Sequence, residues 1–354
     1  LQPKNPGKTL VIVESPGKIA KIQSYLGPNY VVKASFGHIL MVNPHGMNID
    51  FTTMEPQYIE CPDKKDVIKN IKAEYKKAGN LLIATDLDRE GEMIAWSIAT
   101  ILKVKNAKRI VFNDITQKSI LEAVAKPTTL FTNMIHAQKC RTMLDKIIGY
   151  DLSGVLRNNV SDAKSAGRVQ SVVVRLIVER EKEIKEWFEK DLESYYKTKG
   201  FFEQNIQGVL HNSKKNKIDM MDEVEIKPFY ELIKNSIFTI KDLQGSEKSI
   251  KPQPPFTTST LQQEASKKFN FTAKTTMQIA QRLYEEGHIT YMRTDSVSLS
   301  EEAMNMIQKY VTTVYGLPFY KKTIYQSSAG AQEAHEAIRI TDVTVIDIPE
   351  SAKI

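Results

Sequence analysis

A short apolar segment that runs directly into acidic residues is the most constraining feature of this chain. Residues 81–84 are apolar, and three carboxylates follow at alternate positions: Asp86, Asp88 and Glu90. Alternate side chains of an extended chain share one face, so we predict a buried strand with carboxylates crowded at its exit. Such carboxylates raise each other's pKa, and a bound Mg²⁺ would relieve the repulsion. A solvated acidic turn is the alternative interpretation.

The first part of the chain alternates predicted strands with predicted helices. Strands are expected at residues 10–13, 30–34, 81–84 and 109–112. Strands that alternate with helices indicate a mainly parallel sheet, whose functional groups gather at the carboxyl ends of the strands. Glu14 follows the first strand, so we expect it to meet the acidic cluster after the third. This convergence favours the metal site over the acidic turn.

Composition shifts along the chain predict four domains. Residues 1–125 are α/β, residues 126–188 are helical and carry scattered cations, and residues 189–255 are polar and β-rich. A proline-rich linker then leads into residues 256–354, where two helices and a short strand resemble a helix-turn-helix or winged-helix module. The fold class is therefore α/β with additional α and α+β parts.

Composition also limits the partners and the compartment. The net charge is +7 and the pI is about 9.0, which favours a polyanionic partner. The two cysteines are far apart and predict neither a zinc site nor a disulfide framework, so a reducing compartment is expected. We expect no membrane span and no signal peptide. The chain begins with Leu1, so an earlier start is left open. Residues 5–9 resemble the end of a phosphate-binding loop, but Gln2 replaces the required glycine, which argues against an ATP site.

Tyr291 is a candidate nucleophile late in the chain. A tyrosine hydroxyl can form a covalent intermediate, but its ordinary pKa of about 10 means that it needs assistance near neutral pH. Arg293 lies two residues further on, shares its face on an extended chain, and could stabilise a phenolate or bind a phosphate. Taken alone, the tyrosine is better explained as a half-buried strand residue.

Six motifs in a fixed order favour a nucleophilic role for Tyr291 over a structural one. They are Val-Glu-Ser-Pro-Gly-Lys at 13–18, Phe-Gly-His-Ile at 36–39, Asp-Leu-Asp-Arg-Glu-Gly at 86–91, Ser-Ala-Gly-Arg-Val-Gln-Ser at 165–171, Tyr-Met-Arg-Thr-Asp-Ser at 291–296 and Ala-His-Glu-Ala-Ile-Arg at 334–339. Together they resemble a type IA DNA topoisomerase of the bacterial topoisomerase I kind. The Glu-Ser-Pro opening is more similar to topoisomerase I than to the topoisomerase III branch.

The resemblance implies a role for each matching residue. The first domain would be a Toprim domain, and the nucleophile would attack a single-strand phosphodiester to leave a 5′-phosphotyrosine and a free 3′-hydroxyl. The implied catalytic residues are Tyr291, Glu14, Lys18, Arg293 and His335. The implied Mg²⁺ site comprises Glu14, Asp86, Asp88 and Glu90. The implied DNA-binding residues are His38, Arg141, Asp145, Tyr150, Ser165, Ala166, Gly167, Arg168, Val169, Gln170, Arg293 and Asp295.

The implied activity is relaxation of negatively supercoiled DNA without ATP, by a monomer that is not secreted and is located with the host DNA. Two departures from the family pattern stand out. Thr142 replaces a second arginine that is frequent in the family, and the segments that close the family's ring have no counterpart before Ile354. We therefore expect the N-terminal part of a longer enzyme, with an incomplete ring. The alternatives are a Toprim-containing nucleic-acid binding or repair protein without strand passage, in which Tyr291 is structural, and the topoisomerase half of a reverse gyrase.

Overall fold

The structure of the protein is a computed structural model that describes residues 7–162, 164–190, 195–203, 206–211, 222–326 and 336–348. The chain forms two compact units. Unit 1 comprises Leu1–Gly167 and Pro252–Ile354, and unit 2 comprises Arg168–Lys251. Each unit is described by itself.

A four-stranded parallel sheet organises unit 1. Its strands are β1 (Thr9–Val13), β2 (Tyr30–Ala34), β7 (Asn80–Ala84) and β8 (Lys108–Arg109), in the order β2-β1-β7-β8. Val13 of β1 pairs with Ala34 on one side and with Ala84 on the other, so three strands end at the same level. This confirms the predicted parallel sheet. The strand predicted at 109–112 is shorter than expected and comprises only Lys108–Arg109. The backbone of Arg109 also exchanges two hydrogen bonds with Thr128.

Helices cover both faces of this sheet. They are α1 (Ile19–Leu26), α2 (Lys65–Lys77), α3 (Arg89–Leu102) and α4 (Gln117–Ala125). Side chains alternate along β1, so Val11 and Val13 belong to one hydrophobic cluster and Leu10 and Ile12 to a second. Between β2 and α2 lie two short antiparallel pairs: β3 (Leu40–Val42) with β6 (Tyr58–Glu60), and β4 (Ile49–Asp50) with β5 (Glu55–Pro56).

The later part of unit 1 is helical and shares the core of the sheet. Its helices are α5 (Thr132–Asn159), α8 (Thr258–Phe269), α9 (Ala273–Glu285) and α10 (Glu301–Val314). Ala280 and Tyr284 of α9 pack in the same hydrophobic cluster as Val11 and Val13, together with Tyr291. The backbone N–H of Tyr291 also donates to the carbonyl of Asn113, at 2.8 Å. The candidate nucleophile is thus held against the sheet by both its backbone and its core neighbours.

Unit 2 contains two helices and one hairpin within its described residues. They are α6 (Gln170–Glu189), the antiparallel strands β9 (Lys199–Phe202) and β10 (Ile206–Val209), and α7 (Glu223–Lys234). None of the α6 side chains is buried. Within the described ranges of the chain, no helix is long and apolar enough to cross a bilayer.

Candidate active site

A cavity at the carboxyl edge of the sheet is lined by four of the residues predicted to carry the chemistry. Its volume is about 480 Å³. Glu14 comes from the end of β1, Asp86 and Asp88 come from the end of β7, and Arg293 comes from the segment after α9. The remaining lining residues are Lys274, Met277, Gln278, Gln281 and Met292. Parallel register explains this convergence, because β1 and β7 end side by side.

Asp88 connects the acidic edge to the candidate nucleophile. One carboxylate oxygen caps the first turn of α3 by accepting from the Gly91 N–H at 2.7 Å. The other oxygen accepts a hydrogen bond from the Tyr291 hydroxyl at 2.5 Å, and a guanidinium nitrogen of Arg293 lies 3.8 Å from it. Burial and the carboxylates of Asp86 and Asp88 hold the pKa of the Tyr291 phenol well above its ordinary value, while Arg293 opposes them. In this state the phenol is a hydrogen-bond donor and not a phenolate.

Glu14 is the carboxyl group whose ionisation is most altered. Burial and then the charge of Asp86 raise its pKa from 4.5 to about 7, although Lys18 opposes them. One of its carboxylate oxygens is buried and has no hydrogen-bond partner among the described residues. A carboxyl group with this pKa is protonated in a substantial fraction of molecules at neutral pH. It can therefore both donate and accept a proton.

Lys18 is a fully buried cation at the acidic edge. Its ammonium group forms an ion pair with the Asp86 carboxylate and lies 4.9 Å from the centre of the Tyr284 ring. Tyr284 in turn packs edge-to-face against Tyr291, with 5.2 Å between the ring centres. The buried Tyr284 ring therefore contacts both the candidate nucleophile and a predicted phosphate-binding cation. Sequence reasoning missed Tyr284, because it lies in an ordinary amphipathic helix.

A second buried cation supports the backbone of the acidic segment. Arg109 donates to the carbonyls of Thr85 at 3.1 Å and Asp86 at 2.6 Å. It is paired with Glu92, Nε to Oε2 at 2.5 Å, and both side chains are essentially inaccessible to solvent. The other Glu92 oxygen accepts from the Phe131 N–H at 2.7 Å. Sequence reasoning missed this pair, although an arginine opening a predicted buried strand was a usable signal.

The acidic edge fits a divalent cation in its donor set. Glu14, Asp86 and Asp88 supply the hard oxygen ligands that such ions prefer, and one buried oxygen of Glu14 has no hydrogen-bond partner among the described residues. Within the described parts of the chain, no three His, Cys, Asp or Glu side chains already form a ligand cluster. The Asp86 carboxylate forms an ion pair with Lys18, and the Asp88 carboxylate accepts a hydrogen bond from Tyr291. Both carboxylates therefore already have protein partners.

Glu90, the fourth predicted metal ligand, lies beside two predicted DNA-binding side chains, His38 and Arg141. The His38 ring lies 3.8 Å from one oxygen, and Arg141 of α5 lies 3.9 Å from the other. Arg141 also lies 3.8 Å from Asp145 in the next turn of α5. The contact with His38 is the main cause of a lowered pKa at Glu90. The structure therefore gathers His38, Arg141 and Asp145 beside the acidic edge.

The remaining predicted DNA-binding residues are more dispersed. Tyr150 on α5 and Asp295 are exposed. The Ala166 N–H donates to Ser153 of α5 at 2.9 Å, which places the 165–167 segment along that helix. Arg168, Val169 and Gln170 lie in unit 2, separate from the unit that contains the cavity. His335, predicted to be catalytic, lies outside the described residues.

The fold and site define a class of protein: a Toprim-like sheet with a tyrosine hydroxyl bound to its acidic edge. The Toprim domain pattern matches residues 9–115, and the DNA topoisomerase family pattern matches residues 129–353. The chain therefore belongs to the DNA topoisomerase family, in its type IA branch. A Toprim domain is a divalent-metal-binding domain, which agrees with the donor set of the cavity.

Individual relatives agree with this assignment. The chain is 42% identical over 353 residues to "DNA topoisomerase 1 type prokaryotic" of Acanthamoeba polyphaga mimivirus, covering 94% of this chain and 41% of the relative. It is 41% identical to DNA topoisomerase 1 of Rickettsia prowazekii, covering 97% and 47%. Full-length topoisomerase I from Thermotoga maritima has a similar structure, with a TM-score of 0.79 and 37% identity, covering 95% of this chain and 55% of that one.

These comparisons confirm the predicted family and multidomain architecture. They also argue against the alternative of a repair protein that shares only the Toprim domain, because the topoisomerase pattern covers most of the chain beyond it. The chain spans slightly less than half the length of the curated relatives it matches.

Proposed function

We propose that this protein cleaves one strand of DNA through Tyr291, as part of a type IA topoisomerase that relaxes negatively supercoiled DNA without ATP. The observation that carries the proposal is the hydrogen bond from the Tyr291 hydroxyl to Asp88. This bond supports the proposal because it joins the hydroxyl to the acidic edge, where Glu14, Asp86 and Arg293 line the same cavity. The charges of Asp86, Asp88 and Arg293 all act on this hydroxyl, and a purely structural tyrosine needs none of them.

The chemistry is an exchange of one phosphodiester for another. The Tyr291 oxygen bonds to phosphorus, the bond from phosphorus to the 3′-oxygen breaks, and the phenolic proton passes to Asp88, which already accepts it in a hydrogen bond. Glu14, with its pKa of about 7, donates a proton to the departing 3′-oxygen and recovers it on resealing. Bond energy is retained in the phosphotyrosine, so no nucleotide is consumed.

Cations in the cavity neutralise the charge that develops on the phosphate. Arg293 is half-exposed and lies 3.8 Å from Asp88, so its guanidinium can reach a phosphate bound at the Tyr291 hydroxyl. Lys18 is fully buried and forms an ion pair with Asp86, which lines the cavity. Fixed cations in a partly desolvated site stabilise a transferring phosphoryl group without reorganisation of solvent.

Glu14, Asp86 and Asp88 would hold the divalent cation, which we propose to be Mg²⁺. Once bound, the ion would supply positive charge that favours the 3′-oxygen as a nucleophile during resealing. Oxygen-only donors and a phosphate substrate are the setting in which proteins use Mg²⁺. Glu90 would support the site indirectly, through His38 and Arg141.

The single-stranded substrate would lie along α5. Arg141, Asp145 and Tyr150 share this helix, and the 165–167 segment runs beside it through the bond between Ala166 and Ser153. Basic and aromatic groups along one groove suit an unpaired strand. We further propose that the protein acts as a monomer and is located with the host DNA.

Covalent capture of an oligonucleotide tests the proposal. A single strand labelled at its 3′ end should carry its label into a denaturation-resistant adduct, whereas a 5′ label should be released on a free 3′-hydroxyl fragment. Tyr291→Phe should abolish the adduct, and Tyr315→Phe, which changes an exposed tyrosine, should leave it intact. An adduct of equal yield in Tyr291→Phe, or none with the unaltered protein, would overturn the proposal.

A further inference from the structure

Two exposed phenylalanines form a small apolar platform at the turn between α8 and α9. The side chains of Phe269 and Phe271 are 63% and 36% exposed. Their ring centres are 5.4 Å apart, with 34° between the ring planes. We call these two rings the corner platform. Two adjacent, solvent-facing aromatic rings are costly to maintain in water unless something covers them.

Local backbone geometry holds both rings outside the core. Asn270 ends α8 in the left-handed region, with φ of 57°, and Thr272 caps α9 immediately afterwards. The turn is therefore short and well defined. The helices bury Ala265 and Ala280 instead, so the platform is not needed to fill the hydrophobic core.

Lysines surround the corner platform. Lys267 and Lys268 lie in the last turn of α8, exposed, at 3.5 Å and 3.6 Å from the same carboxylate of Glu264. Lys274 lies in the first turn of α9 and makes no ion pair within the described part of the chain. Two of these three cations share one anion and the third has none among the described residues, which leaves a net positive charge beside exposed rings. A polyanion with flat apolar groups complements this surface.

Lys274 connects the corner platform to the candidate active site. It lines the same cavity as Glu14 and Arg293, and Gln278 lines that cavity one turn further along α9. Lys274 and Gln278 are about 6 Å apart along the helix axis. A cation and an amide of α9 therefore border the cavity, and Lys274 follows Phe271 by three residues in the sequence.

We propose that the corner platform is a base-stacking site for single-stranded DNA entering or leaving the cleavage cavity. Phe269 and Phe271 would stack with one or two bases, while Lys274 would bind a neighbouring phosphate. This inference rests on the proposed function, because it takes the substrate of the cavity to be a DNA strand. The stacking is indifferent to sequence, since every base offers an aromatic face.

Equilibrium binding with two oligomers of equal charge tests the platform. One is an oligothymidylate, and the other has the same sugar–phosphate backbone without bases. Replacing both phenylalanines by alanine should weaken oligothymidylate binding about tenfold and leave the abasic oligomer unchanged. Lys274→Gln should weaken both oligomers and reduce the salt dependence of binding, as expected for the loss of about one phosphate contact.

Matched controls are available on the same unit. Phe319→Ala removes another exposed ring, and Lys69→Gln removes another exposed lysine; neither should change the affinity for either oligomer. If the double alanine variant binds both oligomers as the unaltered protein does, the platform does not stack bases. If the variant instead abolishes self-association seen by sedimentation, with unchanged oligomer binding, the platform is a protein contact and the inference is wrong.

The covalent adduct at Tyr291 separates this inference from the proposed function. An adduct combined with loss of the base-dependent affinity in the double variant supports both. An adduct with no base-dependent contribution from the platform overturns the stacking site alone. Base-dependent binding that requires the platform, without any adduct, supports stacking and overturns cleavage.

Discussion

Glu14→Gln should stabilise the metal-free protein, and the gain should depend on pH. Burial and the charge of Asp86 raise the pKa of Glu14 from 4.5 to about 7 in the folded state. The stability contributed by the neutral carboxyl is fully present below pH 4.5 and is lost as the pH rises through 7. Glutamine has no charge to bury, so it escapes this loss.

The magnitude follows from the difference between the two pKa values. A tenfold change in an ionisation constant corresponds to about 1.4 kcal/mol, so the interval from 4.5 to about 7 corresponds to roughly 3 kcal/mol. Part of this loss has already occurred at pH 5. The free energy of unfolding of Glu14→Gln, relative to that of the unaltered protein, should therefore increase by roughly 2 to 3 kcal/mol between pH 5 and pH 8.

Denaturant unfolding in the presence of a chelator measures this advantage. The chain has two tryptophans, so a Trp187→Phe background leaves Trp96 of α3 as a reporter for the sheet that carries Glu14. Glu122→Gln, which changes an exposed carboxyl of α4, is the matched control. Its difference from the unaltered protein in free energy of unfolding should be the same at pH 5 and pH 8. Added divalent cation at pH 8 should stabilise the unaltered protein more than Glu14→Gln.

The reasoning fails if the advantage of Glu14→Gln is the same at pH 5 and pH 8. It also fails if the variant is less stable at pH 8, since that result would mean that the ionised carboxylate is already compensated in the metal-free protein. A divalent cation that stabilises both proteins equally would remove Glu14 from the proposed metal ligands.

Three further predictions concern the neighbours of Glu14. Asp86→Asn, which leaves Asp88 in place as the proton acceptor, should slow resealing more than cleavage, seen as accumulated adduct at fixed Mg²⁺. Equal Mg²⁺ dependence in variant and unaltered protein would contradict the metal assignment. Glu92→Ala leaves Arg109 as an uncompensated buried charge and should lower the free energy of unfolding by about 3 to 5 kcal/mol, measured by denaturant titration; a loss below 1 kcal/mol would refute it. Tyr284→Leu should lower the single-turnover cleavage rate about fivefold without weakening oligonucleotide binding, because an edge-to-face ring contact contributes about 1 kcal/mol. Tyr284→Phe should cleave normally, and equal rates in both variants would show that the ring has no positioning role.

Much of the acidic edge was predictable because it depends on local pattern and parallel register. Apolar residues at 81–84 followed by alternating acids predicted a buried strand and its exit, and strand alternation predicted that Glu14 would join it. Those inferences need no knowledge of distant contacts. The contact between Tyr291 and the acidic edge was different. It was inferred from family motifs, since nothing in the sequence around Tyr291 indicates which surface this residue packs against.

Other features escaped prediction because they depend on packing between distant elements. Tyr284 became important only because α9 lies over the sheet, where its ring meets Lys18. The pairing of Arg109 in β8 with Thr128 is likewise a contact that period-two patterning cannot detect. Both cases show that the sequence indicates which residues face a core, while the partner in that core is decided by topology.

The two hydrogen bonds of Asp88 restrict which side chains the chain can tolerate there. The residue must be short enough to cap α3 through the Gly91 N–H, and it must also present a lone pair to the Tyr291 hydroxyl. Glutamate is too long for the first task, and alanine can do neither. Asparagine keeps only one of the two acceptor oxygens, so even this conservative change alters helix capping or nucleophile placement as well as cation affinity, and a defect observed there cannot be attributed to the ion alone.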